Sequence, residues 1–452
     1  MLTKAIRRHL TILALLLPFA STRAGDVLPM AVAEAEASPQ AATWKEYLAA
    51  REAFEAERDA YWTSIADKRR ARNTKRRNQQ QITLDDYVLT QPPVYTGPAR
   101  PPGPSPEPLP EHARPQPHRP IPVVADLVQA ASEYFQWAPQ RPASEIDFKR
   151  AYARYASAAG LTREQAVRVY AFETGGDGTH ASQSGFHGSH AISSAIGYNQ
   201  LLTTNTVELL AEQGDEFVKE LGERAAGLTG PARKALEHKI AVLKKMVALA
   251  TSVPDDWSLH EKIGDTPQGW GMHAMVLDID VGPMLQTHKL LTSVIFARQK
   301  GYMRPLTAAE LEMMNLTGDG TGLDMVTMPR AMREQVPTSN FFQRRGYERN
   351  PVAINHNTVA KLLAVTDSRM DFNSNKVGAK ELAMVFESGA GQARARGSIA
   401  PHHRLPPQVV QVRPAQSKFA LGGKGWLGSR LPAQFEPNMN LPSPSRYGPL
   451  RI

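Results

Sequence analysis

The 452-residue chain has no cysteine. That excludes disulfides, a thiolate nucleophile, Cys-ligated zinc and iron–sulfur clusters, while fitting an oxidising or a reducing compartment equally well. Stretches that alternate with period two are few, which argues against a sheet-based fold. No run of apolar residues reaches the roughly 20 needed to cross a bilayer as a helix. What is present is a 42% hydrophobic complement, enough to exclude full disorder and to build one sizeable domain with flanking segments. Chemistry, if any, falls to carboxylates, histidine, hydroxyls or lysine.

The first 24 residues have the layout of a secretory signal. Lys4, Arg7 and Arg8 precede the apolar run Leu10 to Ala20, and Ser21-Thr22-Arg23-Ala24 supplies small residues for cleavage. The expectation is a soluble exported protein, periplasmic in a cell with two membranes.

The net charge of +9 is unevenly placed. Residues 68–77 hold seven basic groups and no acid, and residues 389–452 hold nine against the single acid Glu436; the remainder is about −6. A mildly acidic body with basic arms is not the basic folded face of specific nucleic-acid recognition. The arms are expected to be solvated tethers, suited to weak association with an anionic cell-wall or membrane surface. Residues 41–78 contain an amphipathic helix, with Tyr47, Phe54, Tyr61, Trp62 and Ile65 at helical spacing and a basic end; its apolar face is expected to pack against the body or a partner helix. Thirteen prolines between Pro92 and Pro122 remove backbone donors and favour extended chain, so 79–122 reads as a linker.

The body, 123–388, is expected to be all-α. Helical spacing predicts elements at 124–136, 144–159, 162–173, 204–221, 231–250, 272–299, 307–315 and 376–387. Capping-box spacing marks two starts, Thr162 to Gln165 and Thr307 to Glu310.

Glu173 ends the helix that begins at Thr162 and follows Val169, Tyr170 and Phe172. A carboxyl among apolar neighbours is partly desolvated, which raises its pKa and suits it to general acid work. Gly175, Gly176 and Gly178 then end the helix and leave room for a bulky substrate. A second segment, Ala195-Ile196-Gly197-Tyr198-Asn199-Gln200-Leu201, leads into the next helix.

Together, Glu173-Thr174-Gly175-Gly176 and Ala195-x-Gly197-Tyr198-Asn199-Gln200-Leu201 resemble the soluble lytic transglycosylase (SLT) family of the lysozyme-like superfamily. The resemblance covers about residues 144–325 and implies a lysozyme-like helical domain. It further implies Glu173 as catalytic acid, with Gly197, Tyr198, Asn199, Gln200 and Asn315 on the saccharide side. Tyr198-Asn199 stands in place of the family's Leu-Met, and Thr203 is near its proline. The Glu173 to Gln200 interval of 27 residues is long for the family. Met313-Met314-Asn315-Leu316-Thr317-Gly318 loosely follows the third element, A-Y-N-A-G, with Met314 where the family has Tyr.

In that family one carboxylic acid protonates the bond between N-acetylmuramic acid and N-acetylglucosamine. It then accepts the proton of the muramyl 6-hydroxyl as that oxygen closes a 1,6-anhydro ring. Neither cofactor nor metal is called for, and no second carboxylate, unlike a two-carboxylate hydrolase. Asp177, the nearest other acid in sequence, is a candidate second carboxylate or simply a turn residue between glycines.

Other constellations carry less. His180, His187 and His190 share a loop but match no helix-borne zinc spacing. Asp371 to Leu382 lacks the glycine and terminal glutamate of a calcium loop. Gly318 to Gly322 lacks the Lys-Ser/Thr of a phosphate loop and is expected to be a loop at a helix end. Three functions remain open: a peptidoglycan lytic transglycosylase, a peptidoglycan-binding scaffold of the same fold that does not turn strands over, or a zinc hydrolase built on the histidine loop. Glycan strands are the expected partner for the first two, and the oligomeric state is left open.

Overall fold

The computed structural model describes residues 39–103, 121–187 and 190–395. The expected signal segment, residues 104–120 of the expected linker and the basic tail from 396 onward lie outside the described residues. Within them the chain is mainly α-helical, as its patterning predicts. The helices are α1 (Pro39–Arg77), α2 (Val124–Phe135), α3 (Glu145–Ala159), α4 (Arg163–Thr174), α5 (Thr203–Ala226), α6 (Gly230–Ala250), α7 (Trp257–Gly264) and α8 (Pro267–His273). They continue as α9 (Val281–Gln299), α10 (Ala308–Thr317), α11 (Asp319–Thr327), α12 (Arg330–Arg333), α13 (Arg344–Glu348), α14 (Pro351–Asn355), α15 (Val359–Ser374) and α16 (Val377–Ala395). A two-residue hairpin pairs β1 (Phe186–His187) with β2 (His190–Ala191) between α4 and α5. Among the described residues no helix is long and apolar enough to cross a membrane.

Two apolar cores meet on α9. Its first turns give Val281, Met284 and Leu285 to a core with α2, α5, α6 and α8, and its last turns give Leu290, Val294 and Ala297 to a core with α3, α4, α10, α11, α15 and α16. A helix buried on most sides must be apolar on most sides, which is why α9 has no clear polar face. Side chains withdrawn completely from water here, such as Phe148, Phe217 and Leu290, each contribute about 1.5–3 kcal/mol.

Several expectations need correcting. The single helix expected over 272–299 is broken at Asp278, which is extended and turns its carboxylate to the backbone N–H groups of Asp280 and Val281 at 2.9 and 3.1 Å. A carboxylate that takes these donors starts a new helix there. The Gly318–Gly322 run is not a loop: Gly318, at φ +83°, ends α10, and α11 begins at once with Asp319. Gly322 lets the two helices touch, since a Cβ there would lie 2.4 Å from Met314 Cα. Helix α15 was not expected, although Thr358 caps it, and α16 runs seven residues into the expected tail.

Helix α1 packs on the body, as its apolar face predicts, with Trp62 against the core; its basic end, expected to be solvated, is docked as well. Arg69, Arg72 and Arg76 recur along one face of α1. Arg69 donates to the carbonyls of Asn340 and Phe342, Arg72 to those of Asp86 and Asn340, and Arg76 pairs with Asp324. The near end of the expected linker follows: the Asn340 side chain exchanges hydrogen bonds with the N–H and C=O of Val88 at 3.0 and 2.8 Å, and Tyr87 is buried in the core that α3, α4 and α10 share.

Candidate active site

Two helices that start together place the site. The Thr162 hydroxyl accepts from the Gln165 N–H and the Gln165 side-chain Oε1 accepts from the Thr162 N–H, both at 3.1 Å, closing the capping box of α4. The Gln165 amide then donates to Leu306 O at 2.9 Å, one residue before the capping box of α10, where Thr307 and Glu310 exchange bonds of 3.2 and 3.0 Å. Tied at their N-termini, α4 and α10 run side by side in the same direction. Glu173, in the last turn of α4, therefore meets the last turn of α10.

There the Asn315 Nδ2 donates to Glu173 Oε1 at 2.8 Å. The same Nδ2 is 3.4 and 3.5 Å from the two oxygens of Glu312, one helical turn earlier on α10. Glu173 is 5% exposed and Glu312 not at all. Burial, then the charge of Glu173 and a hydrogen bond to it, hold the Glu312 carboxyl well above the usual carboxylate range. Two carboxyls this close and this dry cannot both ionise, so the pair keeps a proton where isolated carboxylates have lost theirs. Lys289 of α9 favours ionisation of Glu312 and, nearby, of Asp319, whose carboxyl is nevertheless raised by burial and accepts a hydrogen bond from Ser293. The arrangement can hold, donate and take back a proton at an apolar helix end.

Of the residues predicted for this site, the structure brings Glu173 and Asn315 together. It sets the others elsewhere. Tyr198, expected to face a saccharide, is fully buried: its hydroxyl donates to Glu145, and its ring stands edge-on to Phe148, Tyr152 and Tyr170 at centroid distances of 5.2, 5.4 and 4.8 Å. Asn199 is fully buried too, its N–H and Nδ2 donating to Gln286 Oε1 and O at 2.8 and 2.6 Å. Gly197 sits at φ +86°, and a Cβ there would fall 1.8 Å from Gln286 Nε2. Gln200 donates to the carbonyls of Gly197 and Ser182 at 2.7 and 3.2 Å. These four form a packed turn joining the hairpin loop to α5, because the left-handed backbone at Gly197 and Gln200 folds the segment back on itself. Met314, at the position the family gives to Tyr, is 1% exposed.

Asp177 is turned toward α16. Its Oδ1 accepts from the Gly378 N–H at 3.2 Å, satisfying a free donor of the first turn of that helix, and Lys376 Nζ lies 3.9 Å from its Oδ2. His180 is tied to α3: its Nδ1 lies 2.7 Å from Glu145 Oε2, and its ring stacks on Phe148. Among the described residues no group of three or more His, Asp or Glu side chains is arranged to hold a metal.

Glu312 is the site residue that sequence reasoning missed. Its signal was there, as a carboxylate at i−3 from Asn315 within a helix otherwise buried from Ala308 to Met314. An acid on an apolar helix turn needs a partner, and the spacing puts it on the face of Asn315.

The chain matches no protein-family model, no curated protein and no solved structure. The chemistry of the site rests on its own residues.

Proposed function

We propose that the chain is an exported enzyme of lysozyme-like fold that cleaves peptidoglycan glycan strands as a lytic transglycosylase. The observation that carries this reading is the pairing of Glu173 with Asn315. These residues come from the two segments that the resemblance singles out as acid and polar partner, are 142 positions apart, and share a 2.8 Å hydrogen bond.

In this mechanism protonated Glu173 gives its proton to the glycosidic oxygen as the bond from the muramyl anomeric carbon breaks. The Glu173 carboxylate, held by Asn315, then accepts the proton of the muramyl 6-hydroxyl while its oxygen bonds to that carbon. The products are a 1,6-anhydromuramyl end and a free sugar hydroxyl, and Glu173 regains its proton. Because the nucleophile belongs to the substrate, the cycle is complete with one proton-transferring carboxyl and no cofactor.

A specific observation favours a second reading, a peptidoglycan-binding scaffold without turnover. Tyr198, Asn199 and Met314 offer a sugar almost no surface. Digestion of purified peptidoglycan separates the two: anhydromuramyl products support the enzyme, and retention on the polymer without products supports the scaffold.

A further inference from the structure

Glu312 has no part in the mechanism just described, yet it is the most deeply buried member of the site. Asn315 gives its short bond to Glu173 and stands 0.6 Å or more farther from either oxygen of Glu312. A negative charge is therefore better accommodated on Glu173, which has the amide donor and a trace of exposure, than on Glu312, which has no exposed surface. The two carboxyl groups converge on the one Asn315 Nδ2, at 2.8 Å and at 3.4 and 3.5 Å, with almost no exposed surface; two carboxylates brought together out of water cannot both stay charged, so one of the pair holds a hydrogen that it can donate to the other.

We propose that Glu312 is a neutral carboxylic acid whose O–H donates to Glu173, a positioning residue that stabilises the Glu173 carboxylate left after proton donation. With Asn315 it gives that carboxylate two donors from one face of α10. The kinetic consequence rests on reading Glu173 as the glycosidic acid. In the singly protonated pair the proton sits on Glu312 and Glu173 is a base; Glu173 is an acid only when both carboxyls are protonated. Cleavage should then rise toward acidic pH. The charged groups around the pair are Lys289 on α9 and, beyond it, Asp319 at the start of α11 with Glu208 and Glu212 of α5, both of which have Asp319 as a neighbour and the first Lys289 as well.

The test uses Glu312→Gln, which keeps a neutral donor of the same size, and Glu312→Leu, which keeps none. Digestion of purified peptidoglycan is followed from acidic to alkaline pH. Glu312→Gln should cost about tenfold in rate, with the alkaline limb of the profile in place. Glu312→Leu should cost on the order of a hundredfold and move that limb to higher pH, because the Glu173 carboxylate has lost a donor. A Glu312→Gln loss as large as that of Glu173→Gln would overturn the proposal by making Glu312 a second proton-transferring carboxyl. So would a Glu312→Leu profile that stays in place. Infrared difference spectra of wild type against Glu312→Gln at neutral pH need no turnover and no Leu variant. They should show one protonated-carboxyl band lost, and a lost carboxylate band instead would refute the neutral acid. If the chain cleaves no glycan, the spectra still decide the protonation state, so the failure of the functional reading is distinguishable from the failure of this one.

Discussion

Asn315 on α10 holds Glu173 on α4, its Nδ2 2.8 Å from Oε1 of a carboxyl that is almost wholly withdrawn from water. One amide donor in so dry a place does more for a carboxylate than it would at a surface, because water does not compete for the same oxygen. Replacing Asn315 with Leu should lower the rate of glycan cleavage on the order of a hundredfold. Since Asn315 is only half-buried, the fold should lose no more than about 1–2 kcal/mol. Urea melts beside digestion rates check both parts, and a rate loss matched by unfolding would discard the first.

Gly197 has no room for a side chain. Its φ of +86° strains any other residue, and the added methyl group of Gly197→Ala would run into the amide of Gln286, which binds the backbone of Asn199. The expected cost is roughly 2–4 kcal/mol, combining backbone strain with overpacking. A urea midpoint within error of wild type would show that the turn can rearrange.

Lys239 and Asp278 form a buried ion pair, Nζ to Oδ1 2.9 Å, with the side chains 5% and 0% exposed. Asp278 also accepts from the N–H groups of Gln140, Asp280 and Val281, so it organises the break between α8 and α9. Lys239→Met strands the carboxylate and should cost about 3–5 kcal/mol. Because burial already pushes the Asp278 carboxyl upward against the pull of Lys239, the variant should recover part of that loss at acidic pH, where the stranded group protonates. Denaturation at pH 7 and pH 5 tests the sign.

His273 is fully buried. Ser194 O can only accept, so Nε2 donates to it at 3.0 Å, and Nδ1 accepts from the Thr206 hydroxyl at 2.7 Å. Burial pushes the ring down to about 4. Between that value and about 6.5, where an unfolded histidine titrates, the unfolded chain binds a proton that the native one does not. The contribution of this residue to stability is therefore full above the higher value and falls as pH drops toward the lower, by roughly 3 kcal/mol. Burial pushes His288 down to about 4 as well, which adds to the trend. Buried carboxyls such as Glu212, which burial pushes up to about 8, act in the opposite sense over this range, so the test is the difference between proteins: wild type should lose stability relative to His273→Gln between pH 7 and 4.5, and a constant difference would remove His273 as a cause.

The sequence made visible whatever local patterning controls. The capping residues Thr162 and Thr307 start α4 and α10 as read, and the glycines after Glu173 end α4 where expected. It hid whatever depends on which way a residue faces. Tyr198, Asn199 and Gln200 stand in line with a motif, but only the fold shows that a left-handed turn points them into protein. The charges of 68–77 look like a solvated run until α1 is helical and aligns three arginines with carbonyls and an acid far along the chain. Asp278 interrupts an apolar stretch that otherwise reads as one helix, because a carboxylate there can be a helix start or a surface residue with the same neighbours in sequence. Glu312 escaped notice because its partner is 139 residues away.

The central claim is that Glu173 is the acid of a glycan-cleaving site. The most direct test digests purified peptidoglycan with the wild-type protein and with Glu173→Gln and weighs the products by mass spectrometry. The account predicts 1,6-anhydromuramyl products from wild type and at least a thousandfold fewer from the variant, as when the single essential acid is removed. Reducing-end products would mean hydrolysis and turn attention to a second carboxyl. Equal products from both proteins, or none from either, would contradict the claim.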